Sequence, residues 1–271
     1  MSERPPPWPA ESHAGRARSN PRPDGRVDRP TNVGEVEPAN EPTTVTGDRP
    51  GDAPGALGAE LARVADELEG SSALDICRWA VGRFGSDVVV ASSFQDCVLI
   101  DLAVRADPAI EVVFLDTGFH FPETISYMRE VERRYGLNLT VVEPGIPPTE
   151  HPCGTPLCCE MRKVAPLARA LVGRSAWITG LKRVDTPERV GAPVVGWEAS
   201  KHLVKINPLA AWTDDDVDRY VEEHGLPRHP LQAAGYVSIG CAPTTRPIAA
   251  GEDPRAGRWP DSDKTECGLH L

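Results

Sequence analysis

Four of the seven cysteines in this 271-residue chain stand at spacings that suit chemistry better than packing. Cys158 and Cys159 are adjacent, Cys241 lies far downstream in Ile239-Gly240-Cys241-Ala242-Pro243-Thr244, and Cys267 lies in Thr265-Glu266-Cys267-Gly268-Leu269-His270. Adjacent cysteines do not readily close a disulfide with each other, whereas their thiolates can bind two irons of one cluster. Arg162 and Lys163 follow the pair at once and place positive charge near thiolates or a bound anion. Cys267 sits in a short Gly-containing segment without hydrophobic periodicity, with His270 three residues away. An exposed thiol near an imidazolium or guanidinium loses its proton more readily, and the thiolate is the nucleophile. An inert surface or loop thiol is the plain alternative at each of these positions. Cys77 and Cys97 fall on apolar helical faces and read as packing residues. A structural zinc site built from Cys158, Cys159, Cys241 and Cys267 fits poorly, because such sites draw on pairs separated by two to four residues.

The elements that must position these groups alternate. Leu61, Val64, Leu68, Leu74, Trp79 and Val81 recur at helical spacing and predict helices over 59–68 and 73–84. A β-branched run at 87–91, the polar turn Ser92-Ser93-Phe94-Gln95 and an amphipathic stretch at 96–105 read as strand, turn and helix. The unit repeats as a strand at 111–115, a helix at 122–135 with Pro122 in its first turn, and a strand at 139–142. Further strands are expected at 176–179 and 203–206, then a helix at 214–223 capped by Thr213. After His224 the periodicity fades into loops and a tail. Alternation of this kind predicts an α/β fold, a parallel sheet with helices on both faces. Ligands of such sheets sit beyond the carboxyl ends of the strands, which directs attention to the turns after Ala91 and Leu115. Ser92, Ser93 and Phe94 offer two hydroxyls and backbone N–H groups suited to an anion, although a simple helix cap has the same composition. The second turn, from Leu115 to Thr124, is denser in polar groups than a connector requires.

With 29 basic and 40 acidic side chains the formal net charge is −11, which argues against binding a nucleic-acid backbone and requires any anionic ligand to be met by a local cationic cluster. No run approaches the length of a membrane span and no apolar signal core opens the chain, so the expected location is cytoplasmic, with no membrane partner. Residues 1–54 are crowded with Pro, Gly and charge and are expected to form a disordered tail. The expected organisation continues with a nucleotide-binding body at 55–246 and a mobile segment at 247–271 that carries Cys267.

From about Asp87 onward the chain resembles the sulfonucleotide reductases of sulfate assimilation and cysteine biosynthesis, specifically the adenylyl-sulfate reductases that carry an iron–sulfur cluster. The resemblance rests on VVVASSFQDCVLI, VVFLDTGFHFPET, CCEMRKVAPL, AWITGLKRVDTPER, LVKINPLAAWTDDDV, GYVSIGCAPTTRPI and DPRAGRW, followed by KTECGLH. It implies a parallel α/β fold related to the PP-loop ATP pyrophosphatases, the adenine nucleotide alpha hydrolase-like fold. By position it implies that Ser92, Ser93 and Phe94 hold the phosphate side of the nucleotide. Gly180, Leu181 and Arg189 would surround the nucleoside, and Lys163, Arg255 and Arg258 would neutralise the phosphosulfate. Cys267 would be the nucleophile, with His270 as its neighbour. The implied reaction reduces adenylyl sulfate to sulfite and AMP through an enzyme S-sulfocysteine, with thioredoxin as the reductant.

One position departs from the pattern. Cluster-bearing members pair the double cysteine with a downstream Cys-x-x-Cys, and here the fourth position is Thr244. Cys158, Cys159 and Cys241 remain as metal ligands, leaving open a 4Fe-4S cluster with a non-cysteine ligand, a three-iron cluster, or none. The first is the expectation taken here. Cys153, five residues before Cys158, reads either as a substitute ligand or as an ordinary loop thiol. Competing functions are a reductase preferring 3′-phosphoadenylyl sulfate, a degenerate redox sensor, and a PP-loop pyrophosphatase or adenylyltransferase. The last is disfavoured because Ser92-Ser93-Phe94-Gln95 lacks the glycines of a triphosphate loop.

Overall fold

The computed structural model describes residues 55–262 and 264–269, so the expected 1–54 tail lies outside the described residues. Two helices, α1 (Gly55–Leu68) and α2 (Ala73–Phe84), precede strand β1 (Val88–Ala91). The Ser72 hydroxyl caps α2 by accepting from the Asp75 N–H, and Gly85 ends it. Next come α3 (Val98–Ala106), β2 (Glu111–Leu115), α4 (Pro122–Tyr135) and β3 (Asn138–Val142). A short α5 (Pro156–Cys159) continues through a π turn at Glu160–Val164 into α6 (Ala165–Ala170). Strands β4 (Ala176–Thr179), β5 (Val195–Glu198) and β6 (Leu203–Ile206) follow, and α7 (Asp214–Glu223) starts from a reciprocal capping box between Thr213 and Asp216.

The six strands lie in the order β3-β2-β1-β4-β6-β5. All neighbours are parallel except β5 and β6, so the sheet is the expected parallel one with a single antiparallel pair at its edge. The turn at 199–202 is too short for a crossover and permits only antiparallel pairing. Strand β5 also went unexpected, because Gly196 interrupts a run of only four residues.

Alternate strand residues face opposite sides, as the pleat demands. Val88, Val90, Val112, Phe114, Ile178 and Ile206 join the larger core, packed against α1–α4 and α7. Val89, Val113, Trp177 and Leu203 face the other way and meet Leu167 and Leu171 of the α6 region. On the larger side, Asp101 of α3 accepts from the hydroxyls of Tyr135 at 2.9 Å and Tyr220 at 2.6 Å, tying α4 and α7 to α3. Strand order reverses between β1 and β4, and the crevice at that reversal is where an open sheet of this type exposes backbone to a ligand.

Candidate active site

A cleft open to solvent lies at this reversal. After β1 it is lined by Ser92, Ser93, Gln95 and Asp96; after β2 by Thr117 and His120; after β4 by Gly180 and Lys182. The first turn is shaped by the Ser92 hydroxyl, which accepts from the Phe94 N–H at 3.1 Å. Phe94 takes a positive φ of 55° there and turns its ring inward onto Phe114, where it is fully buried. His120 lies 2.9 Å from the Leu115 carbonyl. Burial pulls its pKa below the ordinary histidine value, so the neutral ring donates this bond from Nε2.

The C-terminal segment enters the same cleft and brings Cys267 with it. Its placement is fixed on both sides. Glu266 is buried against Arg189, Thr265 offers its carbonyl to Arg255 at 3.0 Å, and Leu269 packs against the smaller core. Lys163 projects into the cleft from the π turn, a helical irregularity that frequently marks functional sites. Burial opposes the Lys163 charge, yet facing Cys241 and Cys267 raises its pKa above the ordinary lysine value and keeps it protonated. Arg258 stacks on Trp259, 4.6 Å from the ring centroid, and donates to Ser238 Oγ at 3.2 Å. Thus an acidic chain gathers Lys163, Lys182, Arg189, Arg255 and Arg258 around a single opening.

Beside the cleft lies a smaller cavity, lined by Cys153, Cys158, Cys159, Cys241 and Thr244. The Thr155 hydroxyl caps α5 by accepting from the Cys158 N–H at 3.2 Å, and this sets the adjacent pair at the cavity wall. Cys241 is held opposite by the Ala242 N–H, which donates to the Phe119 carbonyl at 2.7 Å. A hydrogen bond from Cys153 draws the Cys241 thiol below its ordinary pKa against the effect of burial, and Lys163 adds to this. Among the described residues no three His, Cys, Asp or Glu side chains converge tightly enough to share one metal ion. Cluster ligands need not converge so closely, because each binds a different iron.

Residues 87–247 match the family described as "Phosphoadenosine phosphosulfate reductase domain". The chain is 47% identical to the adenosine 5′-phosphosulfate reductase of Streptomyces coelicolor, over 79% of this chain and 94% of that protein. It is 46% identical to the enzyme of the same name from Mycolicibacterium smegmatis, over 78% and 94%. The chain belongs to the phosphoadenosine phosphosulfate reductase family. Among solved structures it is similar to the phosphoadenylyl-sulfate reductase of Candida auris, with a TM-score of 0.62 and 26% identity over 72% of this chain and all of that one. The fold alone is shared with the FMN adenylyltransferase of Candida glabrata, with a TM-score of 0.52 and 16% identity over 67% of each chain.

Of the residues expected to serve this reductase-family site, Ser92, Ser93, Gly180, Arg189, Lys163, Arg255, Arg258 and Cys267 all line the cleft. Phe94 and Leu181 are instead buried and lie outside the lining, and their N–H groups donate to Ser92 Oγ and Thr179 Oγ1. His270 lies outside the described residues. Arg162, expected near thiolates or an anion, spends its guanidinium on main-chain carbonyls, including Thr117 at 3.1 Å and Glu150 at 2.9 Å, and stacks over Phe119. It therefore organises loops. Sequence spacing does not mark Lys182, flanked by Asp185 and Asp214, or Lys264, with Nζ 3.0 Å from Cys159 Sγ. Their charge alone gives no hint of burial or contact. No helix among the described residues is long and apolar enough to cross a membrane.

Proposed function

We propose that this chain reduces adenylyl sulfate to sulfite and AMP, with Cys267 as the nucleophile and thioredoxin as the electron donor. The observation that carries this reading is that Cys267 lines one cleft together with Ser92, Lys163 and Arg258. A thiolate, an anion-binding turn and a cationic clamp are what displacement at an activated sulfonate requires.

In the first step the Cys267 thiolate attacks the sulfonate sulfur. The new S–S bond forms as the bond from that sulfur to the bridging phosphate oxygen breaks, and the electron pair leaves with AMP. Lys163, Arg255 and Arg258 stabilise the charge growing on the departing oxygen. Ser92 and Ser93 hold the phosphate side, with Phe94 shaping their turn from behind, and Gly180, Leu181 and Arg189 surround the nucleoside. In the second step a thioredoxin thiolate attacks the Cys267 sulfur and expels sulfite. The second thioredoxin thiol then resolves the mixed disulfide, freeing Cys267 and leaving thioredoxin oxidised. Residues 55–246 serve as the nucleotide-binding body and 247–271 as the catalytic segment, which moves to admit thioredoxin.

An iron–sulfur cluster of the 4Fe-4S type belongs to this reading, held by Cys158, Cys159 and Cys241, with the fourth family position occupied by Thr244. The donor set fits: soft thiols around one cavity, with Lys163, Arg258 and Lys264 near enough to offset their negative charge. When bound, the cluster supplies a buried anionic anchor that fixes the 158–163 turn against the cleft. Lys163 carries that positioning to the substrate.

The test is sulfite release from adenylyl sulfate in the presence of reduced thioredoxin, measured beside 3′-phosphoadenylyl sulfate. Faster turnover of the phosphorylated substrate would reassign the specificity. Release of no sulfite from either would overturn the reading.

A further inference from the structure

We infer that Cys153 supplies the fourth thiolate of the iron–sulfur site. The inference rests on the reading that a cluster occupies the smaller cavity, and it concerns which of this chain's own residues complete it. Four cysteines line that cavity, and Cys153 is the one that comes from outside the three expected ligands. Its Sγ lies 3.9 Å from Thr244 Oγ1, so its thiol reaches the neighbourhood of the position where a hydroxyl has replaced a thiol.

Thr244 itself is poorly equipped to bind iron. Its hydroxyl is turned back along its own turn and donates to the Cys241 carbonyl at 3.4 Å. A neutral hydroxyl is in any case a weaker partner for cluster iron than a thiolate. The approach of the 153–154 loop to this threonine is close and specific. Gly154 has a φ of +94°, and a Cβ built there would stand 2.9 Å from Thr244 Cγ2. Only a residue without a side chain lets the loop bring Cys153 this near. Thr155 then caps α5, so the same short loop presents Cys153 on one side and Cys158 with Cys159 on the other.

Charge supports the same assignment. A fourth thiolate makes the buried site more anionic, and an unpaired buried charge is costly. Here Lys264 Nζ contacts Cys159 Sγ at 3.0 Å and also donates to the Gly154 carbonyl at 3.3 Å, while Lys163 and Arg258 line the cavity. The contact to Gly154 lies next to Cys153 itself.

The experiment measures iron, acid-labile sulfide and the electron paramagnetic resonance spectrum of the anaerobically purified full chain. It compares the unmodified protein with Cys153→Ala, and with Cys153→Ala combined with Thr244→Cys. The unmodified chain should hold about four irons and four sulfides. Cys153→Ala should fall to about three irons with the paramagnetic signal of an oxidised three-iron cluster, or lose iron altogether. The double variant should return to about four. This last arm also covers the case in which Cys153→Ala folds poorly, since iron and circular dichroism should then recover together. Four irons and an unchanged spectrum in Cys153→Ala would overturn the inference, as would a double variant that fails to regain iron. Absence of iron and sulfide from the unmodified chain would overturn the cluster reading instead.

Discussion

The guanidinium of Arg189 grips the carboxylate of Glu266 in a two-pronged ion pair, with Nε 2.6 Å from Oε1 and a terminal nitrogen 2.8 Å from Oε2. Both side chains are buried, and Glu266 directly precedes the proposed nucleophile. Burial alone would raise the Glu266 carboxyl, but the bonds from Arg189 outweigh it and hold the pKa below the usual carboxylate range.

Removing Glu266 leaves Arg189 with Asp185 as its remaining carboxylate partner, 2.8 Å away, so the cost stays below the roughly 3–5 kcal/mol of a fully stranded buried charge. Glu266→Ala should therefore undock the catalytic segment rather than unfold the body. Expected are faster tryptic cleavage after Lys264 and a loss of sulfite production of at least about tenfold, the equivalent of only 1.4 kcal/mol of that cost. Replacing both partners, as Arg189→Met with Glu266→Leu, should destabilise less than either single change. Unchanged cleavage and turnover in Glu266→Ala would show that the pair does not hold the segment.

Cys267→Ser keeps the size of the side chain and removes the thiolate. Adenylyl sulfate should still bind within about threefold of the original affinity, because the anion clamp is untouched. Intact mass after incubation without thioredoxin should show the sulfo adduct on the unmodified chain and none on the variant. An adduct on the serine variant would move the nucleophile elsewhere.

Gly240 leaves room that Arg258 occupies. A Cβ at this position would collide with the Arg258 guanidinium. Gly240→Ala should push the guanidinium from its place without deleting it. Charge-assisted hydrogen bonds contribute about 1.5–3 kcal/mol, so kcat/KM should fall by about 10- to 100-fold, close to the effect of Arg258→Met. Initial rates against substrate concentration measure this. A variant as active as the parent would mean Arg258 is not needed where it stands.

Hydrophobic period and capping carried most of the fold. The spans expected for β2, α4, β4, β6 and α7 coincide with those observed, because each is a run of one period bounded by Pro, Gly or a capping hydroxyl. The edge strand β5 and the α5–α6 region escaped for the opposite reason. Their segments are short, and their shape is set by neighbours: a hairpin turn onto β6 in one case, the cysteine cavity in the other. The cleft was legible through residues whose type already implies chemistry, such as Cys267 and Lys163. Pairings that depend on three-dimensional closure were not. Nothing in the spacing of Arg189 and Glu266, or of Cys153 and Thr244, announces that they meet.

His229 gives a pH signature of the fold that is separate from catalysis. It is buried, its Nδ1 accepts from the Leu231 N–H at 3.2 Å, and its Nε2 lies 3.0 Å from Thr124 Oγ1. Acceptance at Nδ1 fixes the neutral tautomer with the proton on Nε2, which therefore donates to Thr124. Burial pulls the pKa down from 6.5 to about 4. The unfolded chain thus takes up a proton near pH 6.5, whereas the folded chain resists until near pH 4. Between those values the unfolded state binds more protons, so stability rises with pH; it is fully present above about 6.5 and lost as the pH falls toward 4. The total is on the order of 3 kcal/mol. His229→Gln keeps a donor for Thr124 and cannot titrate. Urea unfolding midpoints should therefore depend less steeply on pH for the variant than for the parent from pH 6.5 down to 4, and equal slopes would exclude His229 as their source.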